Sequence, residues 1–361
     1  VDLQKAVDMI MRRTTEPGSE QMKQGQDNKL IPSGSVMLNL ACSDSWKGGY
    51  GSGKIVNLIG DSSSGKTLLA FSMFAEMCRD QKWDGYDLIY DDVEQACEFP
   101  VEELFGKKTA ERVIAPYYIQ GLPQFSGTIQ EWQANVMDAI GRGGPFVYVL
   151  DSFDALSSAE EQARAEKSVE AARSGKEAGG SYRMEKAKLS GEILRTILSA
   201  LRSTGSLVVV ISQTRDNIDP MSFTKKTRSG GNALRFYSSH EIWLAVKGKL
   251  KAKDRVIGSQ IRARVAKNKL TGKLREVEFP IYYSYGTDDL GACVDFMLEE
   301  GRWQKKGHTI IAGGIGLEGT RQKLIQEIEE KQLASELFGL VAHTWRDIEE
   351  AIKLDRRKKF E

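Results

Sequence analysis

The chain has 361 residues, 40% hydrophobic and 28% charged, so it can bury a sizeable core arranged as two or three domains or as one α/β core with appendages. Its 51 Lys and Arg balance 50 Asp and Glu, and a net charge of +1 names no partner; any nucleic-acid surface has to come from local clustering. Cys42, Cys78, Cys97 and Cys293 include no CxxC pair and lie far in sequence from His240, His308 and His343, which argues against zinc, and unpaired thiols suit a reducing cytosol. No signal-peptide pattern is visible and no apolar run reaches 18 residues, so the expectation is a cytoplasmic chain that does not engage a membrane.

Residues 1–14 space Leu3, Val7, Ile10 and Met11 like one helical face, and residues 15–32 are polar with Gly and Pro, like a linker. A helix so isolated needs a surface to pack on, in this chain or in a neighbouring protomer. Ile55–Ile59 is a short apolar strand running into a Gly-rich turn, after which Thr67–Arg79 is strongly helical, with Cys78 expected as a buried free thiol. Further apolar runs follow at Leu88–Tyr90, Val113–Ile114, Phe146–Leu150, Leu207–Ile211 and Ile242–Val246, with helical stretches at Ile129–Ile140 and Lys186–Arg202. Strands alternating with helices predict a parallel sheet covered on both faces. Ile261–Val265 and Val277–Tyr283 flank the turn Leu270–Lys273 and predict an antiparallel hairpin closing the sheet edge. Beyond Gly313-Gly314 the pattern is helical at Arg321–Leu333 and His343–Leu354. Residues 157–185 and 214–231 show no regular pattern, and loops of that length within an α/β domain are functional or disordered.

The turn Gly60-Asp61-Ser62-Ser63-Ser64-Gly65-Lys66-Thr67 is a full match to the phosphate-loop pattern. Its glycines let backbone N–H groups curl inward onto phosphate oxygens, Lys66 supplies positive charge for the β and γ phosphates, and the Thr67 hydroxyl is placed for Mg²⁺. The helix beginning there adds its positive end, so the expected ligands are ATP and Mg²⁺. Phe146–Asp151 is an apolar strand ending in a carboxylate, the expected second acid around the metal. Leu88–Glu94 is another strand ending in acids; Glu94 is the candidate to orient the attacking water, against the plainer reading of a solvated strand end.

At this point the residues resemble the RecA family of DNA recombinases. Gly60–Thr67 within Ile55–Leu69, Asp92–Ala96 and Leu150–Leu156 resemble its phosphate loop, its catalytic-glutamate segment and its magnesium-acid strand. The most specific match is Ile211-Ser212-Gln213-Thr214-Arg215 followed by Gly230-Gly231-Asn232-Ala233-Leu234-Arg235-Phe236-Tyr237, and Val256–Ser259 with Ala266–Lys269 adds another. The resemblance covers about residues 33–300 and is closer to the bacterial and bacteriophage branch.

The resemblance implies that Gln213 senses the γ-phosphate and passes its state into the loop that follows. That loop carries Arg215, Lys225, Lys226 and Arg228 for DNA phosphates, with Ile218, Met221 and Phe223 to wedge between bases or stack on them, and Gly230, Gly231 and Asn232 at its end are further DNA-binding candidates. Arg195 resembles a further DNA contact. Lys267 and Lys269 resemble residues that reach the neighbouring protomer's ATP; the plainer reading is an edge strand blunted by lysine. Phe236 resembles a protomer-interface residue, with a buried aromatic as the alternative. Lys247, Lys249, Lys251, Lys253 and Arg255 are either a secondary duplex-binding surface or a solvated hairpin tip. Three features depart from the family pattern: the segment 157–185 is long, with Arg164, Lys167, Arg173, Lys176 and Arg183 interleaved with acids; the adenine-stacking residue falls near Val101 or Phe99; and the C-terminal residues Arg356–Glu361 are basic rather than acidic.

The expectation is therefore an α/β fold with three parts. A mostly parallel, helix-flanked phosphate-loop core (33–300) is preceded by an N-terminal helix and linker (1–32) and followed by a small C-terminal helical domain (301–361). The resemblance implies a DNA-dependent ATPase that polymerises as a helical filament on single-stranded DNA and exchanges strands with a homologous duplex, alongside single-strand-binding and mediator proteins. The alternatives are a replicative helicase on the same core and a weakly catalytic recombination mediator.

Overall fold

The computed structural model describes residues 30–161, 163, 183–216, 226–228 and 231–357. The expected N-terminal helix, most of the segment 157–185 and the tip of the loop 214–231 lie outside them. Among the described residues the main sheet has ten strands: β1 (Lys54–Gly60), β2 (Asp87–Asp92), β3 (Val113–Ile114), β4 (Phe146–Asp151), β5 (Leu207–Asp216), β6 (Lys226–Arg228), β7 (His240–Ala252), β8 (Arg255–Asn268), β9 (Glu276–Tyr282) and β10 (Gly286–Thr287). Their order is β10-β9-β8-β7-β1-β5-β4-β2-β3, with β6 pairing only with the end of β5. The run from β7 to β3 is parallel, and β7 to β10 are antiparallel.

The central strands are apolar along their whole length because both faces are covered. Along β5, Val208 and Val210 join one core layer while Leu207, Val209 and Ile211 join the other. The first layer is sealed by α3 (Ile129–Gly141) and α4 (Arg183–Thr204), through Trp132, Val136, Ile193 and Leu201. The second is sealed by α1 (Val36–Ser43) and α2 (Lys66–Arg79), through Leu38, Leu69 and Phe74. α3 begins on a capping box, in which the Glu131 N–H donates to Thr128 Oγ1 at 3.1 Å and the Thr128 N–H to Glu131 Oε2 at 3.0 Å. Cys78 is buried and unpaired, as its place on α2 predicts.

Three segments differ from the sequence reading. β7 runs to Ala252, past the expected end at Val246, and turns through Lys253 and Asp254, whose φ values of 46° and 64° suit a tight hairpin turn. The basic run 247–255 is thus the exposed end of a two-stranded ribbon, in which Lys247, Lys249, Lys251 and Lys253 alternate with Gly248, Leu250 and Ala252. The segment 214–231 is partly regular, since Thr214, Arg215 and Asp216 pair antiparallel with Arg228, Thr227 and Lys226. Finally, the C-terminal region is not purely helical. After α6 (Asp289–Glu299) come a three-stranded antiparallel sheet (Gln304–Lys306, Thr309–Ala312, Leu317–Gly319), α7 (Arg321–Glu330) and α8 (Ala334–Ala351). α8 starts nine residues before the expected His343, because Leu337 and Val341 extend the buried stripe through the helix-weakening Gly339.

A charge cluster fixes α8 to the core. The Arg275 side chain, 9% exposed, lies 2.6 Å from both Asp44 and Glu349; Lys273 reaches the same two acids at 3.1 and 2.8 Å, and Trp345 Nε1 donates to Asp44 at 3.0 Å. Arg275→Ala leaves two half-buried acids short of a partner and should destabilise the protein by about 3 kcal/mol in urea denaturation. An unchanged midpoint would show that the cluster contributes nothing net.

Candidate nucleotide site

The sheet register brings Gly60, Gln213, Asp151 and Asp92 to the carboxyl ends of four adjacent strands. Gly60 pairs with Gln213 and Asp92 with Asp151, with β4 and β5 neighbours between them. In open α/β sheets ligands bind at this edge.

The chain leaves β1 at Gly60, where a Cβ would come within 2.3 Å of Ser64 Oγ, and enters α2 through Gly65 at φ +84°, where a Cβ would lie 2.6 Å from Ile281 Cδ1. Both positions require glycine. The Lys66 ammonium donates to Gly60 O at 2.9 Å, Asp61 O at 2.7 Å and Ser64 Oγ at 3.4 Å. Burial lowers its pKa, while the acids around it, Asp151 and Glu94 first, oppose that shift. Asp151 Oδ2 accepts from Thr67 Oγ1 at 2.6 Å and from Tyr90 OH at 3.0 Å. Its burial raises its pKa, and these two hydrogen bonds pull it back. A hydroxyl and a carboxylate in contact at the mouth of a phosphate loop are the hard oxygen donors that Mg²⁺ takes together with phosphate, so the residues present fit the group.

The acids that end β2 divide their tasks. Asp91 is fully buried and accepts from Ser126 and Tyr148, a structural role. Asp92 accepts from the N–H groups of Ala96 and Cys97 at 3.3 and 3.1 Å, which shapes the turn presenting Glu94. Glu94 Oε1 accepts from Ser152 Oγ and from Gln213 Nε2, the latter at 3.0 Å. Glu94 is exposed at the strand end, as the plainer reading has it, and its carboxylate is also engaged by Ser152 and Gln213. Sequence reasoning missed Tyr90 and Ser152; in β2, Tyr90 shares the face of Asp92 by alternation, which is the signal that could have found it.

A cavity of about 370 Å³ opens from the phosphate loop, lined by Lys66, Thr67, Glu94 and Asp151 and farther out by Phe99, Ile281 and Tyr283. Phe99 lines it and Val101 does not.

Lys267 and Lys269 lie elsewhere. Lys267 pairs across β7 with Glu241, which pairs with Asn57, so it sits two strands over and three residues back from Gly60. Its ammonium donates to Arg235 O and, at 3.1 Å, to Phe236 O; Lys269 reaches the same Phe236 carbonyl at 3.0 Å. Burial and the neighbouring Lys269 push the Lys267 pKa down to about 8. Neither lysine lines its own chain's cavity. Phe236, at the end of α5 (Gly231–Tyr237), is 69% exposed, so it is not a buried aromatic.

Of the residues expected at DNA, Arg215 is exposed and lies 3.4 Å from Asp154, and Arg195 on α4 donates to Tyr237 OH at 3.1 Å. Lys226 and Arg228 belong to β6, which pairs with the end of β5, and Gly231 and Asn232 open α5. Ile218, Lys225 and Gly230 lie outside the described residues. No helix among the described residues is long and apolar enough to cross a membrane.

A family model for the RecA N-terminal domain matches residues 3–288. Protein RecA of Geobacter sulfurreducens is 31% identical over 328 residues, covering 89% of this chain and 88% of its own length. Protein RecA of Oleidesulfovibrio alaskensis is 30% identical over 319 residues, covering 85% and 83%. Protein RecA of Caulobacter vibrioides is 30% identical over 312 residues, covering 84% and 80%. The chain belongs to the RecA family.

Proposed function

We propose that this chain is an ATP-dependent homologous recombinase that assembles as a filament on single-stranded DNA, hydrolyses ATP in response to that DNA, and pairs it with a homologous duplex. The observation that carries the reading is the 3.0 Å contact from Gln213 to Glu94. Glu94 is the carboxylate aimed at the attacking water, and Gln213 lies on the strand that continues into the basic β5–β6 ribbon. One side chain therefore touches both the hydrolytic group and the element offered to DNA.

In this reading the phosphate loop and Lys66 hold the triphosphate, and Thr67 and Asp151 would hold Mg²⁺, which would offset the phosphate charge. Glu94 orients the water, with Ser152 and Gln213 fixing its carboxylate. Lys267 and Lys269, which do not line their own chain's cavity, supply positive charge to the site of the adjacent protomer, and exposed Phe236 meets the same neighbour. Arg195, Arg215, Lys226 and Arg228 bind DNA phosphates. The separation of the two lysines from their own cavity favours a filament over a self-sufficient site, and the full set Lys66, Glu94 and Asp151 favours a hydrolase over a weakly catalytic mediator.

The reading is tested by ATPase assays with and without single-stranded DNA. Wild-type turnover should rise at least about tenfold with DNA, and Gln213→Ala should bind ATP yet lose that rise, because the link from DNA ribbon to Glu94 is cut. Retained stimulation in Gln213→Ala would remove the coupling role.

A further inference from the structure

The end of β5 touches the nucleotide site at a second place. Strand alternation turns Gln213 and Arg215 to one side and Thr214 to the other. On the first side Arg215 lies 3.4 Å from Asp154, whose Oδ2 also accepts from the backbone N–H of Gln213 at 2.7 Å. On the other, Thr214 Oγ1 donates to Asp61 Oδ1, a carboxylate within the phosphate loop itself. The backbone of Thr214 also pairs with Arg228 of β6. Thr214 is therefore held between the loop that receives phosphate and the ribbon that leaves the sheet.

We infer that the Asp61–Thr214 hydrogen bond is a nucleotide-state contact: Asp61 and Thr214 are positioning residues that discriminate triphosphate from diphosphate. The inference rests on the reading of this site as an ATP site and deepens it. The observations behind it are electrostatic and geometric. Asp61 is exposed and sits one residue after Gly60, with its own carbonyl on the Lys66 ammonium at 2.7 Å. A triphosphate entering the loop brings negative charge beside the Asp61 carboxylate and draws Lys66 away from the Gly60 and Asp61 carbonyls. Like charges this close repel, so the carboxylate turns away and the hydrogen bond to Thr214 is lost. A diphosphate places less charge there and leaves the bond in place. The bond thus favours the nucleotide-free and diphosphate states, and its rupture frees the end of β5 when the triphosphate binds. This contact is separate from the Gln213–Glu94 contact, which lies on the opposite side of the strand.

The test is a double-mutant cycle on nucleotide affinity, measured without DNA by titration with a slowly hydrolysed ATP analogue and with ADP. Thr214→Val keeps the β-branched shape and strand preference while deleting the hydroxyl. It should raise the ratio of ATP-analogue to ADP affinity about three- to tenfold. Thr214→Ser, which keeps the hydroxyl, should restore the wild-type ratio. In an Asp61→Ala background, Thr214→Val should change the ratio no further. An unchanged ratio in Thr214→Val, or additive effects in the double variant, would overturn the inference while leaving the ATP site standing. A wild-type protein that binds neither nucleotide would overturn the site reading and this inference together.

Discussion

Replacing Lys66 by Ala should abolish ATP hydrolysis, lowering kcat/KM at least about 10³-fold, the scale of losing a pre-organised charge in a water-poor site. The Lys66 side chain is nearly buried and donates to three acceptors of its own loop. It is also the positive charge facing Asp151, Glu94, Asp61 and Asp154. Without it, the site presents four carboxylates to an incoming triphosphate, offset only by the loop N–H groups and the helix N-terminus. Binding and turnover should therefore fall together. Lys66→Arg should not rescue, because a planar guanidinium cannot occupy the point between the Gly60 and Asp61 carbonyls. Phosphate release in the presence of single-stranded DNA measures this, and turnover above a tenth of wild type would contradict it.

Glu94→Gln should separate binding from chemistry. The amide keeps an acceptor oxygen for Ser152 and Gln213, so the turn that presents it, fixed by Asp92, should be undisturbed. What is lost is the carboxylate proposed to orient water, a change on the order of 10²–10⁴ in kcat. Fluorescent-nucleotide titration should give an affinity within about twofold of wild type while single-turnover hydrolysis collapses. Undiminished single-turnover hydrolysis would assign water activation to another group. Because ATP stays intact, the variant should also hold DNA longer than wild type.

Much of the site was legible in the sequence because its parts are local. Gly60–Thr67 carries strand, loop and helix start within one stretch, and the glycines at 60 and 65 have steric reasons visible in the fold. Asp151 and Glu94 follow apolar strands that could be recognised by composition, and the alternation of Leu207–Ile211 resolves into two core layers. What stayed hidden depends on pairing between distant segments. The ribbon of β7 and β8 extends through the basic run because β7 pairs across to β8, and only a weak alternation of Gly248, Leu250 and Ala252 with lysine marks it in the sequence. The β5–β6 pair is likewise a matter of register. Tyr90, Ser152, Asp154 and Thr214 are polar residues of ordinary type, and only the sheet brings them to Asp151, Glu94, Gln213 and Asp61. Lys267 and Lys269 were singled out by resemblance; the structure adds that both ammonium groups converge on the Phe236 carbonyl, away from their own cavity.

We propose that this cavity is half of a site completed by the next protomer and read out on DNA. Electron microscopy of the protein with single-stranded DNA and a non-hydrolysable ATP analogue tests it most directly. Continuous helical filaments are expected, in which Lys267 and Lys269 of one protomer face the nucleotide of its neighbour, and which Lys267→Ala with Lys269→Ala shortens or abolishes. Closed hexameric rings, or monomers on DNA, would contradict it.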